Sequence, residues 1–273
     1  PMPGSDPQAE LGRLWVNALA EAVRERLAEP GAGKPVISLE RLAALYPAAG
    51  PRDVMQCIWD CAGAMPDGPV VVLIPGLGYD GWMWHKMIPG LAEQFQVISI
   101  DNRGSGLSDK PPGPYTAQML AADVIGLLDA LGERKAHIVG HSMGGFIAQA
   151  IAVDYPERVD RLVLSATNFG GPHHVPITPP AMAVLTDVSG EPLERLRRGI
   201  VISTAPGFAE RSAEVVESWV QHRAAHPIDP TGYQAQLAIG LGLLSEAASF
   251  EHKLGRVTAP TLILFGEHDA VVP

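Results

Sequence analysis

Residues 137–150 of the sequence read HIVGHSMGGFIAQA, an apolar run, a glycine-rich turn with Ser142 at its centre, and an apolar stretch with helical composition. The pattern Gly-x-Ser-x-Gly at 140–144 is typical of a sharp strand-to-helix turn, in which larger residues two positions from the serine would collide. Such a turn exposes the serine hydroxyl beside the positive end of the helix that follows. We therefore interpret Ser142 as a nucleophile and His141 as a residue that lines or supports the site.

The rest of the chain alternates between apolar strands and amphipathic helices. This alternation predicts an α/β fold, with a mostly parallel central sheet flanked by helices and right-handed crossovers between the strands. Sheets of this kind bind ligands at the carboxyl ends of their strands, which is where Ser142 lies. The predicted strands are at 70–74, 97–100, 137–139, 162–164 and 261–265, and helices are predicted at 117–131 and 143–155.

Two segments fall outside this alternation. Residues 1–64 predict a helical extension, with one amphipathic helix at 8–29 and a second, capped by Ser38, at 38–46. Residues 168–250 predict a helical cap inserted between two core strands, with helices around 191–203, 210–225 and 231–248. The core is then expected at 65–167 and 251–273.

A glycine-rich turn, Pro75-Gly76-Leu77-Gly78, follows the first strong strand. Its backbone predicts an oxyanion hole in which the N–H groups of Leu77 and Met143 are the two donors, although an ordinary strand-ending turn is the alternative. The side chains and backbone expected to line the substrate site belong to Gly76, Gly78, Trp82 and His141.

Acidic residues follow two further strands. Asp269, after the last visible strand, is placed where a carboxylate can orient a catalytic histidine, and Glu267 is the alternative. In the loop Asp-Asn-Arg-Gly-Ser-Gly-Leu-Ser-Asp at 101–109, Asp101 and Arg103 are expected to make structural hydrogen bonds.

These four motifs, in this order, resemble those of the α/β-hydrolase superfamily over residues 66–273, and more narrowly its esterase, lactonase and carbon–carbon-bond hydrolase branch. The resemblance implies an eight-stranded, mostly parallel sheet, a cap domain, no cofactor, and a Ser–His–Asp triad. Pro75 stands where many members of the superfamily have histidine.

The superfamily order also implies a histidine, a strand and a helix after Asp269, and the sequence contains none of them before it ends at Pro273. One explanation is that the histidine lies on polypeptide beyond Pro273. Alternatively, His85, His173 or His174 replaces it, or the protein does not catalyse a reaction. We expect the first, because a parallel sheet without its last strand would expose an apolar edge.

Composition narrows the function further. The formal net charge of −10 argues against a nucleic-acid partner, and no apolar run is long enough to cross a membrane. Cys57 and Cys61 are expected to be buried free thiols in a reducing, cytoplasmic setting, without a metal site. Homo-oligomer formation is left open.

The sequence therefore predicts a serine hydrolase acting on a small hydrophobic ester, lactone or related carbonyl compound. Four other activities stay open on the same fold: ligand binding without catalysis, acyl transfer, cleavage of a carbon–carbon bond, and perhydrolysis.

Overall fold

A computed structural model describes residues 37–38, 68–187, 189–266 and 269–273. Both cysteines and the predicted helix at 8–29 lie outside the described residues. So does the predicted helix at 38–46, apart from Ser38.

A six-stranded parallel sheet forms the centre of the protein, with strand order β1-β3-β2-β4-β5-β6. The strands are β1 (Ile37–Ser38), β2 (Val70–Ile74), β3 (Gln96–Ser99), β4 (Ala136–His141), β5 (Val159–Ser165) and β6 (Thr261–Leu264). The five predicted strands are all present, and their ends move by no more than three residues. The α/β class predicted from the sequence is therefore confirmed.

The position of each strand follows from its side chains. Every residue of β2 is buried, because this strand lies inside the sheet and is covered on both faces, as its continuous apolar sequence indicates. At the edge of the sheet, β6 is exposed along its whole length, with Leu262 53% and Ile263 60% exposed.

Strand β1 differs from the sequence interpretation. Ile37 and Ser38 pair in parallel with Ile98 and Ser99 of β3. The sequence had instead predicted that a helix begins at Ser38. Two residues are too few to carry a recognisable alternation of apolar and polar side chains, so this pairing depends on the neighbouring strand.

Two long helices cover the sheet. The helix α1 (Ile88–Leu91) is short; α2 (Ala117–Ala130) and α3 (Met143–Asp154) pack against each other, and α3 also contacts β4 and β5. The Thr116 hydroxyl caps α2 by accepting a hydrogen bond from the Met119 N–H. Ten of the twelve residues of α3 are buried, so the strand-to-helix turn that precedes α3 is held in the core.

Among the described residues, five α-helices lie between β5 and β6, and we call residues 168–250 the inserted segment. They are α4 (Pro179–Thr186), α5 (Pro192–Ser203), α6 (Phe208–Arg211), α7 (Ala213–Ala225) and α8 (Pro230–Gly242). Helix α4 was not predicted, and α8 ends at Gly242 rather than near residue 248. No helix of the described residues is long and apolar enough to cross a membrane.

Candidate active site

Ser142 lies at the sharp turn between β4 and α3. Its backbone has φ 54° and ψ −119°, a conformation that costs a residue with a side chain about 1–3 kcal/mol. The Ser142 N–H donates to the Ser165 carbonyl at 2.9 Å, and the Ser142 carbonyl accepts from the Gly145 N–H at 2.8 Å. The turn is therefore fixed from both sides.

The glycines of the 140–144 motif are sterically required. A Cβ atom at Gly144 would lie 2.2 Å from the Ile74 carbonyl oxygen, and one at Gly140 would lie 2.4 Å from the Gly144 carbonyl oxygen. Both contacts are with backbone atoms, which cannot move aside cheaply. The sequence interpretation of this turn agrees with the geometry.

Beside Ser142 is a cavity of about 350 Å³. The structure brings most of the predicted site residues to its wall: Gly76, Leu77, Trp82, His141, Ser142 and Asp269. The inserted segment supplies apolar residues to the same cavity, among them Leu185, Leu196, Ile200 and Trp219.

The turn after β2 lies close to Ser142. A Cβ atom at Gly76 would lie 3.3 Å from the Ser142 Cβ, so the backbone leading to Leu77 runs close to the serine with little space between them. Met143 is the first residue of α3, and the N–H groups of a first helical turn have no partner within the helix. Two backbone segments with donor groups therefore converge near the Ser142 side chain.

Gly78 lies elsewhere, although the sequence interpretation assigned it to the substrate site. It lines a neighbouring cavity, and its N–H donates to the Gln236 Oε1 at 2.9 Å. With φ +70°, the turn directs Gly78 away from Ser142 and towards α8, where Tyr233 packs against it.

Asp269 reaches the cavity from the loop after β6. Its Oδ1 accepts hydrogen bonds from the N–H groups of Val271 and Val272 at 2.8 and 2.9 Å, which fixes the carboxylate. The alternative acid, Glu267, lies outside the described residues.

Among the described residues, His141 is the only histidine that lines this cavity. Its Nδ1 is 3.2 Å from the Ser165 hydroxyl. Burial lowers the pKa of His141 below its ordinary value of 6.5, and the nearby Asp269 carboxylate offsets only part of this effect. His141 is therefore favoured in its neutral form.

The three histidines considered as replacements for the missing base are not at the site. His85 stacks on Trp82 and directs its Nδ1 to the Trp82 carbonyl. His173 pairs with Glu251 at 2.7 Å, and both His173 and His174 line a different cavity.

Arg223, on α7, also lines the Ser142 cavity, and the sequence interpretation did not include it. Only 8% of the residue is exposed, its guanidinium lies 5.4 Å from the centre of the Tyr79 ring, and within the described part of the chain no carboxylate forms an ion pair with it. Burial lowers the pKa of Arg223, with partial compensation from Asp80 and Tyr79. A basic residue within a mixed helical pattern carried no signal that it would face the site.

The loop at 101–109 is structural, as predicted. Asp101 accepts hydrogen bonds from the N–H groups of Gly81 and Leu107 at 2.7 and 2.8 Å, and Arg103 forms an ion pair with Asp123 on α2. Within the described residues, no group of three His, Cys, Asp or Glu side chains could hold a metal ion.

Comparison with known proteins gives a family match for most of the chain. The family model for the alpha/beta hydrolase fold matches residues 69–273. The protein named "Putative carbamate hydrolase RutD" of Caulobacter segnis is 40% identical over 108 residues, so the chain spans 39% of that relative's length.

Two longer matches are found. The 2-hydroxy-6-oxononadienedioate/2-hydroxy-6-oxononatrienedioate hydrolase of Burkholderia vietnamiensis is 31% identical, over 72% of this chain and 69% of its own. The crystal structure of the enol-lactonase from Burkholderia xenovorans LB400 superposes with a TM-score of 0.61 at 28% identity, over 75% of each chain. The family match over residues 69–273 shows that this chain belongs to the α/β-hydrolase fold family.

Proposed function

We propose that this protein is a serine hydrolase in which Ser142 attacks an ester, a lactone or a related carbonyl compound. The observation that carries the proposal is the strained backbone of Ser142 at the head of α3, in one cavity with Leu77 and Asp269. Strain of this kind persists where the surrounding structure enforces it, and it is concentrated at active sites.

Each group has a role in the proposed reaction. The Ser142 hydroxyl attacks the carbonyl carbon while a histidine accepts its proton, and the N–H groups of Leu77 and Met143 stabilise the oxyanion. The proton then passes to the leaving alcohol, and water releases the acyl group. Asp269 holds the histidine, and its Oδ2 is available for this because Val271 and Val272 bind its Oδ1.

In this proposal the base is a histidine C-terminal to Asp269, on polypeptide beyond Pro273, as the superfamily order implies. Support comes from the positions of the other histidines, since His85, His173 and His174 do not line the Ser142 cavity. His141 does line it, but as the neighbour of Ser142 in the turn it directs its Nδ1 to Ser165.

The inserted segment acts as a cap in this proposal. Leu185, Leu196 and Trp219 line the same cavity as Ser142 with apolar side chains, which favours a small to medium hydrophobic acyl group. The proposed reaction needs no cofactor.

Labelling of the full-length polypeptide with a fluorophosphonate tests the nucleophile. We expect Ser142 to be labelled, labelling to be lost in Ser142→Ala, and labelling to be retained in Ser245→Ala, which changes an exposed serine. Ser142→Ala should also lose the hydrolysis of p-nitrophenyl esters from acetate to octanoate and of a set of lactones. A full-length protein that is not labelled, or a label that remains in Ser142→Ala, contradicts the proposal.

Arg223 favours a second candidate, the hydrolysis of a carbon–carbon bond in a substrate that carries a carboxylate. The Burkholderia vietnamiensis relative is named for dioate substrates, which carry two carboxylates. Arg223 is a buried residue of the cavity wall, and its guanidinium, which has no ion-pair partner among the described residues, supplies the matching positive charge. A charged hydrogen bond of this kind contributes about 1.5–3 kcal/mol.

Two substrates separate this candidate from a simple esterase. With the half-ester mono-p-nitrophenyl glutarate, Arg223→Gln should raise KM about tenfold or more, while KM for neutral p-nitrophenyl butyrate changes less than about threefold. Carbon–carbon cleavage is measured directly with a 2-hydroxy-6-oxo-dienoate, whose conjugated absorbance is lost on hydrolysis. Equal effects of Arg223→Gln on both esters would exclude a role in recognising the carboxylate.

A further inference from the structure

A buried glutamine of the inserted segment connects two loops of the core. Gln236 on α8 is 0% exposed. Its Oε1 accepts from the Gly78 N–H at 2.9 Å, and its Nε2 donates to the Arg103 carbonyl at 2.8 Å and to the Ser105 hydroxyl oxygen at 3.2 Å. The side-chain amide therefore uses its acceptor on the turn after β2 and both donors on the loop after β3.

The hydrogen bonds continue back to the same turn. The Ser105 hydroxyl donates to the Asn102 carbonyl at 3.1 Å, and the Asn102 side-chain amide donates to the Pro75 carbonyl at 3.1 Å. The turn at residues 75–78 is thus held at its start by Asn102 and at its end by Gln236. Leu77, whose N–H is the proposed first oxyanion donor, lies between these two attachments.

Close packing leaves α8 little freedom to move relative to these loops. A Cβ atom at Gly232 would lie 2.0 Å from the Gly104 carbonyl oxygen, and one at Gly78 would lie 2.8 Å from the Tyr233 ring. The Tyr115 N–H also donates to the Ala235 carbonyl at 3.1 Å. One face of α8, which includes Gln236, is therefore docked directly on the core.

We propose that Gln236 is a positioning residue for the oxyanion hole, and that the docking of α8 sets the orientation of the Leu77 N–H through the Gly78–Gln236 hydrogen bond. This inference rests on the proposed serine hydrolase function. Donors stabilise an oxyanion only when they are oriented before the reaction, and a buried amide with all of its hydrogen bonds formed provides such orientation.

The test replaces Gln236 in the full-length protein and uses p-nitrophenyl butyrate as the substrate. Gln236→Met keeps the length of the side chain and removes its hydrogen bonds, so kcat should fall about tenfold or more while KM changes less than about twofold. Gln236→Glu, protonated in its buried position, retains the acceptor for Gly78 and should restore part of kcat. Gln234→Leu, which changes an exposed glutamine of the same helix, should behave like wild type.

Amide hydrogen exchange of residues 76–79 gives a readout that does not require activity. Gln236→Met should accelerate exchange of the Gly78 amide, and Gln234→Leu should not. If the wild type hydrolyses no ester, the proposed function fails, and this exchange measurement still decides whether Gln236 positions the turn. If Gln236→Met does not fold, a second variant replaces it. Ser105→Ala weakens the attachment of the Gln236 Nε2, and it should lower kcat with little change in KM, to a smaller extent than Gln236→Met. The proposal is overturned if Gln236→Met keeps the wild-type kcat and the wild-type exchange rate of the Gly78 amide, even if the variant is less stable.

Discussion

The Nε2 of His222 lies 2.9 Å from the Oδ2 of Asp80, which joins helix α7 of the inserted segment to the loop that follows Leu77. The same imidazole stacks on Trp82, with ring centres 4.0 Å apart and planes 4° from parallel. The adjacent Arg223 lines the Ser142 cavity, and its guanidinium donates to the His226 carbonyl at 3.4 Å rather than forming an ion pair with Asp80.

We expect Asp80 and His222 to be energetically coupled. Their side chains are only 10% and 13% exposed, so loss of one partner leaves the other poorly solvated. A double-mutant cycle with Asp80→Asn and His222→Ala, measured by urea unfolding, should give a coupling free energy of about 1–2 kcal/mol. The solvent-exposed pair Asp187 and Arg198 is the matched control, and its coupling free energy should be clearly smaller. Equal coupling in the two pairs would show that the Asp80–His222 contact contributes no more than a surface ion pair.

The turn at Ser142 should not tolerate a methyl group. Gly144→Ala places a Cβ 2.2 Å from the Ile74 carbonyl oxygen and should lower the free energy of unfolding by about 2 kcal/mol or more, with loss of fluorophosphonate labelling. Gly126, in helix α2, has no atom beyond its own stretch of helix within 4 Å of its would-be Cβ. Gly126→Ala should therefore raise the free energy of unfolding by about 0.5–1 kcal/mol. Similar changes in both variants would refute the steric requirement.

His141 should make the protein less stable in mild acid. Its folded pKa is lowered by burial, so the unfolded chain takes up the proton first as the pH falls below 6.5. The contribution of neutral His141 is complete above pH 6.5 and decreases between this value and its lower folded pKa. Urea unfolding at several pH values between 5 and 8 should show a smaller loss of stability in His141→Gln than in wild type. Parallel profiles would mean that His141 has no such role.

The same variant tests whether His141 is the base. His141→Gln should keep at least about one tenth of the wild-type rate of Ser142 labelling, because we assign proton transfer to a different histidine. A loss of about ten thousandfold would identify His141 as the base instead.

Asp269 should be needed for catalysis in the full-length protein. Asp269→Asn retains an oxygen that can accept from Val271 and Val272, but it does not stabilise a charged imidazole, so kcat should fall about ten thousandfold. The variant Asp154→Asn, at an exposed position at the end of α3, is the control and should retain wild-type kcat. A decrease of less than about tenfold in Asp269→Asn would direct attention to Glu267.

Features that depend on neighbouring residues in the chain were predictable. The continuous apolar run of β2 was predicted with the bounds that the structure has, and the glycines around Ser142 identified the turn before α3. Spacing of apolar residues identified α2 and most helices of the inserted segment. These signals are local, because strand and helix periodicity and turn sterics act over a few residues.

The sequence by itself thus established the α/β class, the order of the strands along the chain and the position of Ser142 at a strand-to-helix turn. Only the tertiary structure placed Arg223 in the Ser142 cavity, paired His222 with Asp80, and directed Gly78 to Gln236, a partner 158 positions away. The physical reason is that a polar residue on a helix gives no local sign of the surface on which it will dock. Its partners are set by how the inserted segment packs on the core, through contacts between residues distant in the chain.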